Sequence, residues 1–216
     1  MIRTATEADL QAIVKVHSFC FPKSFTTAMG KELLARYYAE FMSSNPELFF
    51  VWESEGDAPN IEGFCMGYYG ENSRCADQFI KKNRIRFALR VLALMVTGNA
   101  AAWRKVTGIF LKKPKITTVD DSFRKFSHKD SGELLSICVL PEKRGCGVAS
   151  QLVDEYEKRL LLQGRHRCVL SVLANNARAI RFYEKKGFTL IQKIGDASLV
   201  YAKALKEESG KSVSEV

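Results

Sequence analysis

The chain has 216 residues, with 33 Lys and Arg against 24 Asp and Glu for a formal net charge of +9, and it is 46% apolar and 26% charged. These proportions are those of a soluble globular protein and exclude wholesale disorder, while the length admits one large domain or two small ones with a core that needs no staples. The longest uncharged apolar stretch, Val91 to Trp103, contains Thr97, Gly98 and Asn99 and falls short of the roughly 18 residues of a membrane-crossing helix.

The N-terminus reaches Glu7 and Asp9 without the apolar core of a signal peptide, so a cytoplasmic protein is expected. Cysteines at 20, 65, 75, 138, 146 and 168 form no C-x-x-C pair, and there are three histidines. Separate reduced thiols and no metal site are expected.

In chain order, a strand at Ile2 to Ala5 precedes a helix announced by Thr6 and Asp9, with Leu10, Ile13, Val14 and His17 at helical spacing. A second amphipathic helix, Lys31 to Met42, carries Leu33, Leu34, Tyr37 and Phe41 and stops before Ser43-Ser44-Asn45-Pro46. Leu48 to Ser54 and Ile61 to Tyr69 read as antiparallel strands joined by the loose turn Gly56 to Asn60.

From Asp77 to Asp120 there is no acidic residue between the two, but Lys81, Lys82, Arg84, Arg86, Arg90, Arg104, Lys105, Lys112, Lys113 and Lys115. This segment makes the protein basic. It reads as helical from about Arg74 to Lys115, broken at Gly98-Asn99 and ended by Pro114, with Asp120 to Asp130 a loop. Such charge attracts phosphates on a cofactor, a substrate, a nucleic acid or a bilayer, or it is simply a solvated helix face.

Glu133 to Leu140 is an almost continuous apolar strand of the kind covered on both faces. A helix at Val148 to Leu162, a strand at Cys168 to Leu173, a helix at Arg178 to Lys186 stopped by Gly187, and strands at Phe188 to Lys193 and Ala197 to Ala204 follow. The expected fold class is α/β: a mixed sheet with flanking helices. One domain is expected over 1–205, with a helical insertion at about 74–130, and a disordered polar tail over 206–216.

The sharpest local feature is Arg144-Gly145-Cys146-Gly147-Val148-Ala149, between a strand and a helix. A helix tip leaves its first amides unpaired and carries about half a positive charge, so glycines that let a ligand approach those amides form a diphosphate cradle. A P-loop would need Gly-Lys-Ser/Thr where Val148-Ala149 stand, and a dinucleotide fingerprint needs a third glycine and a later acid; both are missing. The short pattern by itself is also compatible with a merely flexible helix start.

Downstream lies Asn176-Ala177-Arg178-Ala179-Ile180-Arg181-Phe182-Tyr183-Glu184-Lys185-Lys186-Gly187-Phe188. With this second block the chain resembles the GNAT family of N-acetyltransferases, whose first block is Arg/Gln-x-x-Gly-x-Gly/Ala and whose second is Asn-x-x-Ala-x-x-Phe/Leu-Tyr-x-x-x-Gly-Phe. The resemblance is clearest over Glu133 to Lys193. It implies a mixed, mostly antiparallel central sheet whose two central strands, here Glu133 to Leu140 and Cys168 to Leu173, splay apart around acetyl-CoA. The backbone of Ile137, Cys138 and Val139 would bond the pantetheine, and the amides of Arg144, Gly145, Cys146, Gly147, Val148 and Ala149 the diphosphate. Asn176 would bond the pantetheine or a water, although Asn is also a favoured helix cap.

The implied reaction is direct attack of an uncharged amine on the thioester. An alkyl amine has a pKa of about 10 and must lose a proton, the oxyanion needs a fixed donor such as an amide at about Val139, and the departing sulfur needs a proton. Tyr183 matches the family's general acid, or packs helix on sheet, or both. Glu133 is the candidate base, against the alternative of a solvated charge, with His128 and Asp130 as substitutes; His17 reads as a helix-face residue and His166 as a turn residue. No partner set designates Cys138 or Cys146 as a nucleophile.

The resemblance thus implies an acetyl-CoA-dependent N-acetyltransferase. The basic segment suggests a small-molecule amine acceptor with a phosphate, such as an amino sugar on a nucleotide or lipid. The alternatives are a protein or peptide acceptor, or a non-catalytic CoA-binding or membrane-surface module, since basic amphipathic helices with Trp103 and Phe110 suit a bilayer interface as well as a lid. Nucleic acid ranks low for want of a recognition motif.

Overall fold

A computed structural model describes residues 1–56, 60–70, 75–100, 102–103, 116–122, 125 and 127–206. Strands β1 (Ile2–Thr4), β2 (Phe49–Glu53), β3 (Ile61–Tyr69), β4 (Ile116–Thr118), β5 (Ser131–Val139), β6 (Arg167–Leu173), β7 (Thr189–Ile194) and β8 (Ser198–Ala204) form one sheet in the order β1-β2-β3-β5-β6-β8-β7-β4. Every pairing is antiparallel except β5 with β6. The sheet is therefore mixed, as the strand patterns predicted, and mostly antiparallel, as the resemblance implied.

Helices α1 (Leu10–Cys20), α2 (Phe25–Ala28), α3 (Lys31–Ser44), α4 (Cys75–Lys82), α5 (Arg84–Val96), α6 (Val148–Leu162) and α7 (Ala177–Lys185) flank it. One core layer joins Ile13, Val14, Leu34, Tyr38 and Phe41 of α1 and α3 to Phe49, Phe64, Met66 and Cys138 of the sheet. The other joins Leu152, Val153, Tyr156 and Leu160 of α6 and Tyr183 of α7 to Phe50, Cys65, Leu134, Val139 and Leu170. The alternation of β3 and β5 side chains between these layers is the period-two pattern of a strand covered on both faces.

Thr6 and Asp9 form the expected capping box. Arg3 adds a bidentate grip on Asp9 at 2.8 and 2.9 Å and a second on Glu53 at 2.8 and 3.0 Å, tying β1 to the sheet.

Two elements differ from the sequence reading. Helical structure breaks at Asn83, between α4 and α5, as well as at Thr97-Gly98, where Gly98 adopts a φ of 71°. Residues 116–118, read as part of the helical insertion, are β4 and pair with β7 from Ile116↔Ile194 to Thr118↔Gln192. A three-residue exposed edge strand shows no alternation, and only its Ile-Thr-Thr composition favours a pleated surface. Pro114, most of the expected tail and the basic residues 104–115 lie outside the described residues. Among the described residues no helix is long and apolar enough to cross a membrane.

Candidate active site

The site begins with an interruption in the sheet. β5 and β6 pair from Ser131↔Arg167 to Leu134↔Leu170, and no further. β5 continues to Val139 against β3, and β6 continues to Leu173 against β8. At the parting point the β3 register steps from Gly67↔Leu134 to Met66↔Ser136, leaving Leu135 as an extra residue on β5. Such a bulge bends its strand and changes which face the following side chains take. Leu134 accordingly joins the α6 layer, Leu135 packs with the α1–α3 layer, and Ile137 and Val139 return to the α6 side.

After β5 the chain makes a single turn at Pro141–Lys143 and enters α6 through Arg144 to Gly147. Gly145 and Gly147 have φ of 84° and 80°, the left-handed region that glycine occupies without a Cβ penalty. A Cβ on Gly145 would meet nothing within 4 Å, so the space in front of this loop is open. The first helical hydrogen bond of α6 runs from the Gln151 amide to the Gly147 carbonyl at 3.0 Å. The amides of Val148, Ala149 and Ser150 precede it and have no partner within the helix, which makes this tip an anion site by geometry and by dipole. The open loop fits a diphosphate.

The parted strands and the α6 tip open on one cleft of about 670 Å³. Ile137, Cys138, Val139, Arg144, Gly145, Gly147, Val148, Ala149, Asn176 and Tyr183 line it; Cys146 and Glu133 are not on its wall. Asn176 also caps α7, its Oδ1 accepting from the Ala179 amide at 3.2 Å. Tyr183 is buried, edge-on to Phe182 and Phe188 at 5.2 and 5.7 Å, and burial pushes its phenol above the ordinary range. It is a neutral proton donor at any physiological pH.

Glu133 lies before the bulge. Its Oε2 accepts from the Tyr68 hydroxyl at 2.6 Å, and its carbonyl accepts from the Tyr156 hydroxyl at 2.8 Å. Burial, with the Glu133 charge beside it, holds the Tyr68 phenol above its ordinary range, so Tyr68 is the donor in that pair.

Several residues of the cleft were not singled out as site residues in the sequence. Cys20 and Phe21, at the end of α1, reach its wall, as do Arg178, Phe182, Lys185 and Lys186 of the second block. Arg144 Nε donates to the Val139 carbonyl at 3.1 Å, and Cys20 Sγ donates to the same oxygen at 3.5 Å. A hydrogen bond with Cys138, with the Arg144 guanidinium close by, lowers the Cys20 thiol to about 7.

Behind the cleft wall, His17 is buried, and burial pushes it down to about 4, so it is neutral at pH 7. The Tyr38 hydroxyl meets its Nδ1 at 2.5 Å and Thr26 Oγ1 meets its Nε2 at 3.0 Å. A helix-face histidine in the sequence is thus a core polar link between α1, α2 and α3. Among the described residues no group of three His, Cys, Asp or Glu side chains could hold a metal ion.

Residues 110–188 match the family described as the acetyltransferase (GNAT) family. The fold recurs in solved structures of low sequence identity. A ribosomal-protein-alanine N-acetyltransferase from Brucella melitensis is 20% identical, covers 95% of this chain and 99% of its own, and has a TM-score of 0.55. A putative acetyltransferase, yncA, from Salmonella typhimurium, solved with its cofactor acetyl-CoA, is 17% identical over 97% and 96%, with a TM-score of 0.54. Ard1 from Thermoplasma volcanium is 15% identical over 96% and 98%, with a TM-score of 0.57.

Proposed function

We propose that this chain, which belongs to the GNAT family and is an acetyl-CoA-dependent acyltransferase, moves an acetyl group to the primary amine of a small, phosphate-bearing molecule. The observation that carries the reading is the parting of β5 from β6 beside a glycine-opened helix tip. A diphosphate suits the amides from Arg144 to Ala149, and a pantetheine arm suits the unpaired β5 edge at Ile137, Cys138 and Val139, with Asn176 across the cleft. Each of these partners is backbone or a small polar group, so the contact holds the cofactor without selecting an acceptor.

In this mechanism the Tyr183 phenol, kept protonated by burial, donates to the sulfur as the thiolate departs. Glu133 receives the proton of the incoming ammonium through a water, since its carboxylate lies off the cleft wall and is steadied by Tyr68. The amide at about Val139 meets the developing oxyanion.

Support for an anionic acceptor comes from α5. Arg90 donates to the Ala28 carbonyl at 3.0 Å and Phe87 packs edge-on to Phe25 at 6.1 Å, so the basic helix rests on α2, shortly after Cys20 and Phe21 at the cleft. A protein amine is the competing acceptor, favoured by the activity named for the Brucella relative of the same fold.

Thiol release from acetyl-CoA, followed across phosphorylated amino sugars, simple amines and short peptides, separates these readings. Turnover with the phosphorylated amines is expected, and turnover confined to peptides would replace the proposed acceptor. Neutralising Arg84, Arg86 and Arg90 together is expected to raise the acceptor KM; an unchanged KM removes the basis for an anionic substrate.

A further inference from the structure

Helix α5 is apolar on two opposite faces. Leu94 is buried, and Phe87, Val91 and Met95 are half-buried on the same side, Phe87 packing edge-on to Phe79 at 6.2 Å. On a helix turning ~100° per residue, Ile85, Leu89, Leu92 and Val96 fall within about 60° of one another on the far side. They are 67%, 63%, 60% and 80% exposed. A surface helix ordinarily carries charge there, and among the described residues nothing buries these four large aliphatic side chains.

Charge frames this stripe. Arg84 and Arg86 lie about 100° to either side of it. Two acids of α3 pair with basic residues here: Glu32 lies 3.7 Å from Arg86, and Glu40 lies 2.9 Å from Lys82. Neither is on the stripe, and the sequence from Asp77 to Asp120 holds no acid between them. At the end of α5, Trp103 is 45% exposed with its indole N–H donating to the Met95 carbonyl at 3.1 Å; such rings favour a membrane–water boundary.

We propose that this face of α5 lies on an anionic lipid surface, the aliphatic stripe entering the headgroup–acyl boundary and the flanking arginines meeting lipid phosphates. A second copy of the chain is the poorer occupant. An isologous contact between two stripes would bring two sets of flanking arginines into one interface, with no acid on the stripe to offset them. A bilayer offers an apolar layer and phosphates at once. With 13 residues, α5 lies along the surface and does not cross it. The inference shares Arg84 and Arg86 with the acceptor reading, but it is read out by vesicle binding and not by turnover.

Sedimentation of the full chain with phosphatidylcholine vesicles, with or without phosphatidylglycerol, tests it. Binding to the anionic vesicles is expected, weakened by added salt. Leu89→Glu with Leu92→Glu is expected to lower it by at least about tenfold, since each leucine forfeits its burial, while the melting temperature stays as in the wild type because both residues are exposed. Wild-type protein that stays in the supernatant overturns the proposal, as does a double variant that pellets equally. A concentration-dependent dimer without lipid, abolished by the same double variant and accompanied by no vesicle binding, also overturns it by making a second copy the occupant.

Discussion

Along its β3 side, strand β5 is paired from Gly132 to Val139, whereas along its β6 side the pairing stops at Leu134. The paired side is dense: a Cβ on Gly67 would run into the Glu133 carbonyl and the Tyr156 hydroxyl that bonds it, and one on Gly132 would run into Leu160. The open side presents strand backbone, helix-tip amides and one buried phenol to a cavity. One strand is thus a seam of the core on one side and, in the proposed function, a binding edge on the other. Backbone polar groups lose their ladder partners only where water or a ligand can replace them, so the break in pairing marks the site more sharply than any single side chain.

The open side breaks first by chemistry. Tyr183→Phe is expected to lower kcat by about 10²–10⁴-fold with acetyl-CoA affinity unchanged by calorimetry; an unaltered kcat would reduce Tyr183 to its packing role. The paired side breaks by sterics. Gly67→Ala is expected to cost about 3 kcal/mol, the upper end of overpacking, because the clash is with strand backbone, and a wild-type urea midpoint would contradict the seam.

Beneath the paired side, His17 sharpens the comparison through pH. Burial holds its pKa at about 4 in the fold, against the ordinary 6.5 of a histidine. Above about pH 6.5 the link is silent; as pH falls towards 4 the unfolded chain takes up a proton that the fold excludes, so stability drops, by about 3 kcal/mol in full. Urea unfolding at several pH values should show this slope in the wild type and its loss in His17→Gln; parallel profiles would contradict a neutral buried histidine.

The smallest effect lies back at the cleft. Gly147→Ala meets no clash but must hold a φ of 80°, at a cost of about 1–2 kcal/mol. Weaker acetyl-CoA binding by calorimetry is expected with it, and full affinity would separate the helix tip from the cofactor.

Much of the fold was legible because it is local. α6 spans Val148–Leu162 and β3 spans Ile61–Tyr69, the bounds that periodicity and flanking glycines gave them. Asn176 and Gly187 bracket α7 as cap and left-handed stop. Legibility failed where partners are distant along the chain. β4 has meaning only through β7, Cys20 only through the Val139 carbonyl it bonds, and His17 only through Tyr38 and Thr26. Gly67 looked like any strand glycine until Tyr156 and Glu133 closed on it.

Hydrophobic period and glycine position, read along the chain alone, determined a mixed sheet flanked by helices and a helix tip opened by glycine, since both follow from the dihedrals each residue prefers. Tertiary structure alone decided where β5 leaves β6, which side chains of α1 reach the cleft, and which of the two apolar faces of α5 is turned to solvent. Those outcomes depend on competition among surfaces for burial, and a residue's own neighbours in sequence do not carry that information.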